Sequence, residues 1–255
     1  MFINNINPDI ATIGPFSIRF YGIVYAAGFL LINYLLVKLA ENKKIKNLTK
    51  DRAENITMLA IVFGIIGARL FHVITDFQLY RYDLIGIFEV WKGGLGYHGG
   101  ILFGGAAIYF YCKKYKINIL EILDNISIPL ALITTFGRLA NYVNSEMYGA
   151  PTNLPWCVIY QRIDDICRHP TQIYQAISML ILFLLLVFIS RQKYSKKNGV
   201  LFWSFITLYG SLRFITDFFR FDYHIFFLGL SLSHLLNLLM VIIGIYCLSK
   251  LKVRK

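Results

Sequence analysis

Arg138, Asn141, Asn144 and Glu146 fall in one run, Gly137-Arg138-Leu139-Ala140-Asn141-Tyr142-Val143-Asn144-Ser145-Glu146, at the end of a long apolar stretch. A permanently charged guanidinium, two amides and a carboxylate are the groups that bind an anion and order its surroundings. Their spacing groups Arg138, Asn141 and Glu146 loosely on one side of a helical path. Hydrocarbon does not tolerate such groups unless they face a protein interior or a wet cavity, where they mark a substrate path. The forked guanidinium of Arg138 suits a phosphate gripped in two places. A structural pair with Glu146 or Asp124 is the alternative.

Further candidates lie elsewhere. His98 sits in Trp91-Lys92-Gly93-Gly94-Leu95-Gly96-Tyr97-His98-Gly99-Gly100. It is either a general base or an interfacial hydrogen-bonding residue. Arg213 and Asp217 are one helical turn apart and can pair along a face. By that spacing alone Asp217→Glu should be tolerated, since the longer side chain still reaches Arg213. Arg220 follows, and Arg69 lies in Gly64-Ile65-Ile66-Gly67-Ala68-Arg69. Several arginines near one leaflet with few carboxylates point to a phospholipid head group, to which Tyr21 and Tyr25 add hydroxyls. No zinc-protease His pair, nucleophile elbow or phosphate-binding Walker loop occurs. No metal or cofactor is expected.

These residues must be held by membrane helices. The chain has 255 residues, 57% of them hydrophobic and 16% charged, where a soluble domain carries about 25% charged residues. Apolar runs near 17–40, 57–77, 99–112, 122–142, 172–190, 199–217 and 226–248 predict about seven spans. Only helices or closed barrels satisfy the backbone in lipid, and barrel alternation is absent, so the fold class is an all-α polytopic membrane protein. A single domain, 1–255, is expected. The glycines of 93–105 predict an irregular re-entrant element, with small-residue helix packing as the alternative. Pro151, Pro155 and Pro170 block a long helix and predict a small extracytoplasmic cap near 145–170.

The formal charge of +12 is not a nucleic-acid footprint. Its basic residues gather in alternate connections: Lys43, Lys44, Lys46, Lys50 and Arg52; Lys113, Lys114 and Lys116; Arg191, Lys193, Lys196 and Lys197; and Lys250, Lys252, Arg254 and Lys255. That pattern predicts an amino terminus outside and a carboxyl terminus in the cytoplasm, with the basic face against anionic lipid. The first apolar run lacks a basic leader and is read as a retained helix. Cys112 and Cys247 fall near cytoplasmic helix ends. Cys157 and Cys167 share the outer loop, where a disulfide and two unpaired thiols both remain open.

Taken together the chain resembles the bacterial prolipoprotein diacylglyceryl transferase family. The resemblance is carried by Tyr21-Gly22, Gly67-Ala68-Arg69, the Gly93–Gly100 block, Gly137 through Gly149, Arg168-His169-Pro170-Thr171-Gln172-Ile173-Tyr174, and Tyr209-Gly210 with Arg213. It implies an inner-membrane enzyme that transfers the diacylglyceryl group of phosphatidylglycerol to the lipobox cysteine of a preprolipoprotein, releasing glycerol phosphate. His98, Arg138, Arg213 and Glu146 are then the expected catalytic residues. Tyr21, Arg69, Arg138, Asn141, Asn144, Gly149, Asp217 and Arg220 are expected to bind substrate. The chain departs from the family pattern at Asp217 and Gln175, where glutamate is usual, and at Ser231-Leu232-Ser233-His234. The competing readings are a divergent member acting on another lipid or acceptor, and a transporter, for which the chain lacks paired broken helices.

Overall fold

The structure, a computed structural model, describes residues 1–13, 16–221, 225–227 and 229–253. Among the described residues seven α-helices form in chain order: α1 Phe20–Glu41, α2 Lys50–Thr75, α3 Tyr97–Lys114, α4 Ile119–Val143, α5 Thr171–Ser190, α6 Val200–Asp217 and α7 Leu232–Val253. Five of them (α1, α2, α4, α5 and α7) are long and apolar enough to cross a membrane. At 18 residues, α3 and α6 are each about 27 Å long, against a hydrocarbon core of roughly 30 Å. Glycine and lysine in α3, and Arg213 and Asp217 in α6, keep them out of the most apolar class.

Helix boundaries differ from the apolar runs for identifiable reasons. Strands β1 Phe2–Asn4, β2 Asp9–Ile13 and β3 Phe16–Arg19 precede α1. Because β2 and β3 pair antiparallel, α1 begins at Phe20 rather than at residue 17. α2 starts earlier than expected, at a cap where Thr49 Oγ1 accepts from the Arg52 amide at 3.3 Å. Strands β4 Val158–Tyr160 and β5 Cys167–Arg168 lie in the cap segment, and β6 Ile225–Phe227 and β7 Leu230–Ser231 delay α7 to Leu232. Arg254 and Lys255 of the basic tail lie outside the described residues.

Two compact units are distinguished: residues 1–28 with 123–255, and residues 29–122. In the first, Ala131 of α4, Met179, Leu182 and Leu186 of α5 and Phe205 of α6 form a buried apolar core. The carboxylate of Asp124 accepts from the amides of Gly199 and Phe202, capping the start of α6 with a side chain from α4. In the second, α2 and α3 pack through small residues. A Cβ on Gly99 would strike the Gly67 carbonyl and Phe71, so the two backbones meet where neither helix has a side chain. The glycines from Gly99 onward therefore lie inside a regular helix, and the irregular backbone ends at Gly96. Close approach, not helix breaking, is what they provide.

Candidate functional site

α4 ends in a turn built without glycine. The Glu146 amide donates to the Asn141 carbonyl at 3.0 Å and the Ser145 amide to the Tyr142 carbonyl at 3.1 Å, the paired closure of a Schellman motif. Ser145, at the position that usually holds glycine, has φ 56°, and Met147 also has φ 56°. Two non-glycine residues in the left-handed region store strain that the surroundings must hold.

The first turn of α5 holds it. Gln172 Nε2 donates to the Glu146 carbonyl at 2.6 Å, and Thr171 Oγ1 to the Met147 carbonyl at 2.6 Å. Gln172 is oriented in turn by the Tyr160 hydroxyl, which donates to its Oε1 at 2.8 Å. Gln172, Thr171 and Tyr160 are fully buried. Burial pushes the Tyr160 phenol above its ordinary pKa, so it remains a donor. Gly149 closes the turn: its amide donates to the His169 carbonyl at 2.9 Å, and the neighbouring Ala150 amide to that of Phe219. A Cβ on Gly149 would stand 2.5 Å from the Phe219 oxygen, so only glycine fits. The same contact pairs Gly149 with Arg220 as an isolated antiparallel bridge.

The turn so fixed presents the signature side chains. Asn141 Nδ2 donates to Glu146 Oε2 at 3.2 Å and Asn144 Nδ2 to Oε1 at 3.4 Å, so two amides steer one exposed carboxylate. Arg138 is half-buried, and among the described residues its hydrogen-bond acceptor is the Met147 thioether at 3.2 Å. Sulfur is a weak acceptor, so the guanidinium keeps strong donors available. The rings of Tyr21 and Tyr25 pack at a tilt of 43° with centroids 4.5 Å apart, and a Cβ on Gly137 would lie 3.7 Å from the Tyr25 hydroxyl. Arg213 Nη2 and Asp217 Oδ1 form a buried ion pair at 3.0 Å.

The cap braces this region. β4 pairs with β5 antiparallel and with β1 in parallel, and Cys157, the residue before β4, forms a disulfide with Cys167 of β5. The side chain of Asn4 donates to the Tyr142 carbonyl at 2.6 Å, tying the amino-terminal strand to the end of α4. Arg168 lies buried between the rings of Tyr148 and Phe221 and pairs with Asp164. That pairing holds the Asp164 carboxyl below its usual pKa and raises that of Arg168. Trp156 Nε1 donates to the Tyr174 hydroxyl at 2.8 Å, which lies 3.2 Å from His169 Nδ1. The Tyr174 hydroxyl thus bridges the Trp156 indole and the His169 imidazole. Burial lowers the His169 pKa. These residues, with Leu154, Ile177, Ser178, Thr216 and Phe219, line a cavity of about 440 Å³.

Two candidates lie in the other unit. His98 is exposed in the first turn of α3, its ring 5.9 Å from those of Phe71 and Tyr97. Arg69 is buried, and four of its N–H donors are engaged by backbone carbonyls: Nε by Ile87, Nη1 by Gly93 and Gly94, and Nη2 by Gly86. One donor is left for any lipid oxygen. Arg69 thus tethers the α2–α3 connection.

Asn4, Tyr160, Thr171 and Gln172 brace the turn without any sequence motif that marks them for it. Thr171 and Gln172 sit inside a quoted block, but what they hold is 24 and 26 residues away.

Residues 8–250 match the family model described as prolipoprotein diacylglyceryl transferase. The chain is 36% identical over 254 residues to the phosphatidylglycerol–prolipoprotein diacylglyceryl transferase of Rickettsia rickettsii (strain Sheila Smith), covering 96% of this chain and 97% of that protein. Proteins of the same name from Tolumonas auensis and Finegoldia magna are each 34% identical. They cover 86% and 92% of this chain, and the matches span 85% and 92% of their own lengths.

Proposed function

The chain belongs to the prolipoprotein diacylglyceryl transferase family, and we propose that it moves the diacylglyceryl group of phosphatidylglycerol onto the lipobox cysteine thiol of a preprolipoprotein. In that reaction the cysteine sulfur attacks the glyceryl carbon next to the phosphate. The carbon–sulfur bond forms as the carbon–oxygen bond breaks, the electron pair leaves with glycerol phosphate, and the thiol proton passes to a base.

Each residue has a physical task in this reading. Arg138 and Arg213 bind the phosphate and neutralise the charge that grows on it as it leaves, a contribution of several kcal/mol where water is excluded. A thiol is a weak nucleophile until ionised. His98 is proposed as the base that takes its proton, with Glu146 as the competing candidate. Asn141 and Asn144 orient Glu146, Tyr21 adds a hydroxyl, and Gly149 fixes the turn against Arg220. Arg69 bears on the reaction by fixing the connection that leads into His98, not by a contact with the lipid. The observation that best supports a phosphate role is Arg138 itself, a half-buried arginine in the membrane whose hydrogen-bond acceptor is a sulfur.

The orientation proposed is amino terminus outside and carboxyl terminus in the cytoplasm, from the alternation of basic connections. Reporter fusions at the two ends should report opposite compartments. Finding both on one side would overturn it. The function is tested by complementing a transferase-depleted bacterium and reading lipoprotein lipidation by mass spectrometry. Thioether-linked diacylglycerol on the acceptor cysteine is expected, and accumulation of unmodified precursor would remove the assignment.

A further inference from the structure

Asp217 holds more than Arg213. Its side chain is fully buried, Oδ1 faces Arg213 Nη2 at 3.0 Å, and Oδ2 accepts from Ser233 Oγ at 2.6 Å and Asn237 Nδ2 at 2.9 Å. Ser233 and Asn237 are one turn apart on α7, so one face of that helix grips the carboxylate edge turned away from the arginine. An arginine–aspartate pair along a single helix leaves the carboxylate plane free to rotate. Two donors from a second helix remove that freedom, and the direction of the guanidinium is set with it. The helices are close enough for this to be rigid: a Cβ on Gly210 would stand 2.8 Å from the Asn237 carbonyl.

We infer that Ser233 and Asn237 are positioning residues of the transfer reaction, acting through Asp217 to aim Arg213. The inference rests on the reading of Arg213 as a phosphate contact. It also changes an expectation from spacing. A glutamate at position 217 would drive its carboxylate into the Ser233 hydroxyl and the Asn237 amide, so Asp217→Glu is harmful here unless Ser233 is trimmed.

The test uses the full-length protein in detergent micelles containing phosphatidylglycerol and an acceptor peptide. Asn237→Leu should raise KM for phosphatidylglycerol about tenfold, the loss of one hydrogen bond to a charged group, while KM for the peptide stays unchanged. Ser233→Ala should move the same constant in the same direction and serves as the second variant if Asn237→Leu does not accumulate in the membrane. Neither change should add to the defect of Arg213→Lys. Asp217→Glu should lose activity, and Asp217→Glu with Ser233→Gly should regain it. A phosphatidylglycerol KM unchanged in both α7 variants, equal rises for both substrates, or additivity with Arg213→Lys would overturn the inference. Full activity of Arg213→Ala would instead overturn the phosphate role of Arg213.

Discussion

Arg69 and Arg138 lie near the same kinds of residue, yet the structure uses them in opposite ways. Arg69 follows Gly67-Ala68, is buried, and has its donors engaged by the carbonyls of Gly86, Ile87, Gly93 and Gly94. Arg138 follows Gly137, is half-buried, and donates to a thioether. A buried arginine in a membrane is a functional candidate by default. The partner, not the burial, separates a tether from a binding group. The backbone around each differs accordingly. The connection around Arg69 is held by the arginine, whereas the turn after Arg138 is held by Gln172 and Thr171, and the arginine meets it at the Met147 thioether.

The largest effect that can break this comparison is on catalysis. His98→Gln should lower kcat by about 10²–10⁴-fold with phosphatidylglycerol binding retained, because its proposed role is proton transfer. An unchanged pH–rate profile would move the base to Glu146, on the Arg138 side. Arg138→Ala should follow, with a loss of about a hundredfold in transfer, on the order of 3 kcal/mol of transition-state stabilisation. The protein should still be present in the membrane with unchanged thermal stability. Near-normal turnover would make Arg138 a second tether and erase the contrast.

Arg69→Lys should show the reverse pattern. A lysine ammonium is a compact donor and cannot span four carbonyls that a planar fork reaches. Each buried carbonyl left without a donor costs roughly 1–3 kcal/mol. The variant should melt several degrees lower and lose hydrogen-exchange protection in residues 86–96, and any protein that stays folded should keep its affinity for phosphatidylglycerol. A weakened lipid affinity at unchanged stability would return Arg69 to the substrate site.

Much of this was legible in the chain. Apolar runs located the seven helices of the described residues, and the five that are long and apolar enough to cross a membrane carry the strongest signal, because a membrane span is written in about 20 consecutive residues. Arg138, Asn141, Asn144 and Glu146 stood out because polar residues at the end of such a run need a reason. What escaped was carried by partners distant in sequence. Ser145 ends α4 in a conformation that normally advertises itself with glycine. Arg69 is defined by carbonyls, which every residue has and no sequence marks. Strands of two to five residues, such as β2 and β5, have too few positions to show a period. The spacing of Cys157 and Cys167 is compatible with a disulfide or with none, and only the pairing of β4 with β5 brings them together.

The smallest predicted effect concerns acid, and it separates the two regions by what titrates around them. The turn after Arg138 leans on the cap, where His169 and Asp164 both have lowered pKa values, from burial and from the Arg168 hydrogen bonds respectively. A group with a depressed folded-state pKa contributes stability that is present above its unfolded pKa and lost as pH falls through the folded value. For His169 the loss therefore begins below about 6.5, and for Asp164 below about 3.9, the ordinary values of those side chains. The carbonyls that hold Arg69 do not titrate in this range. Lowering the pH from 7 to 5 should reduce amide protection at Gly149, Ala150 and His169 modestly, with a further drop near pH 3 at Thr152 and Ile166. Residues 86–96 should change less over both steps. His169→Gln should remove the first step and keep the second, since glutamine preserves a neutral hydrogen-bonding side chain beside Tyr174 and cannot take up a proton. Equal acid sensitivity of the two regions in hydrogen exchange would show that the cap does not brace the turn, and the contrast would then rest on the arginine partners alone.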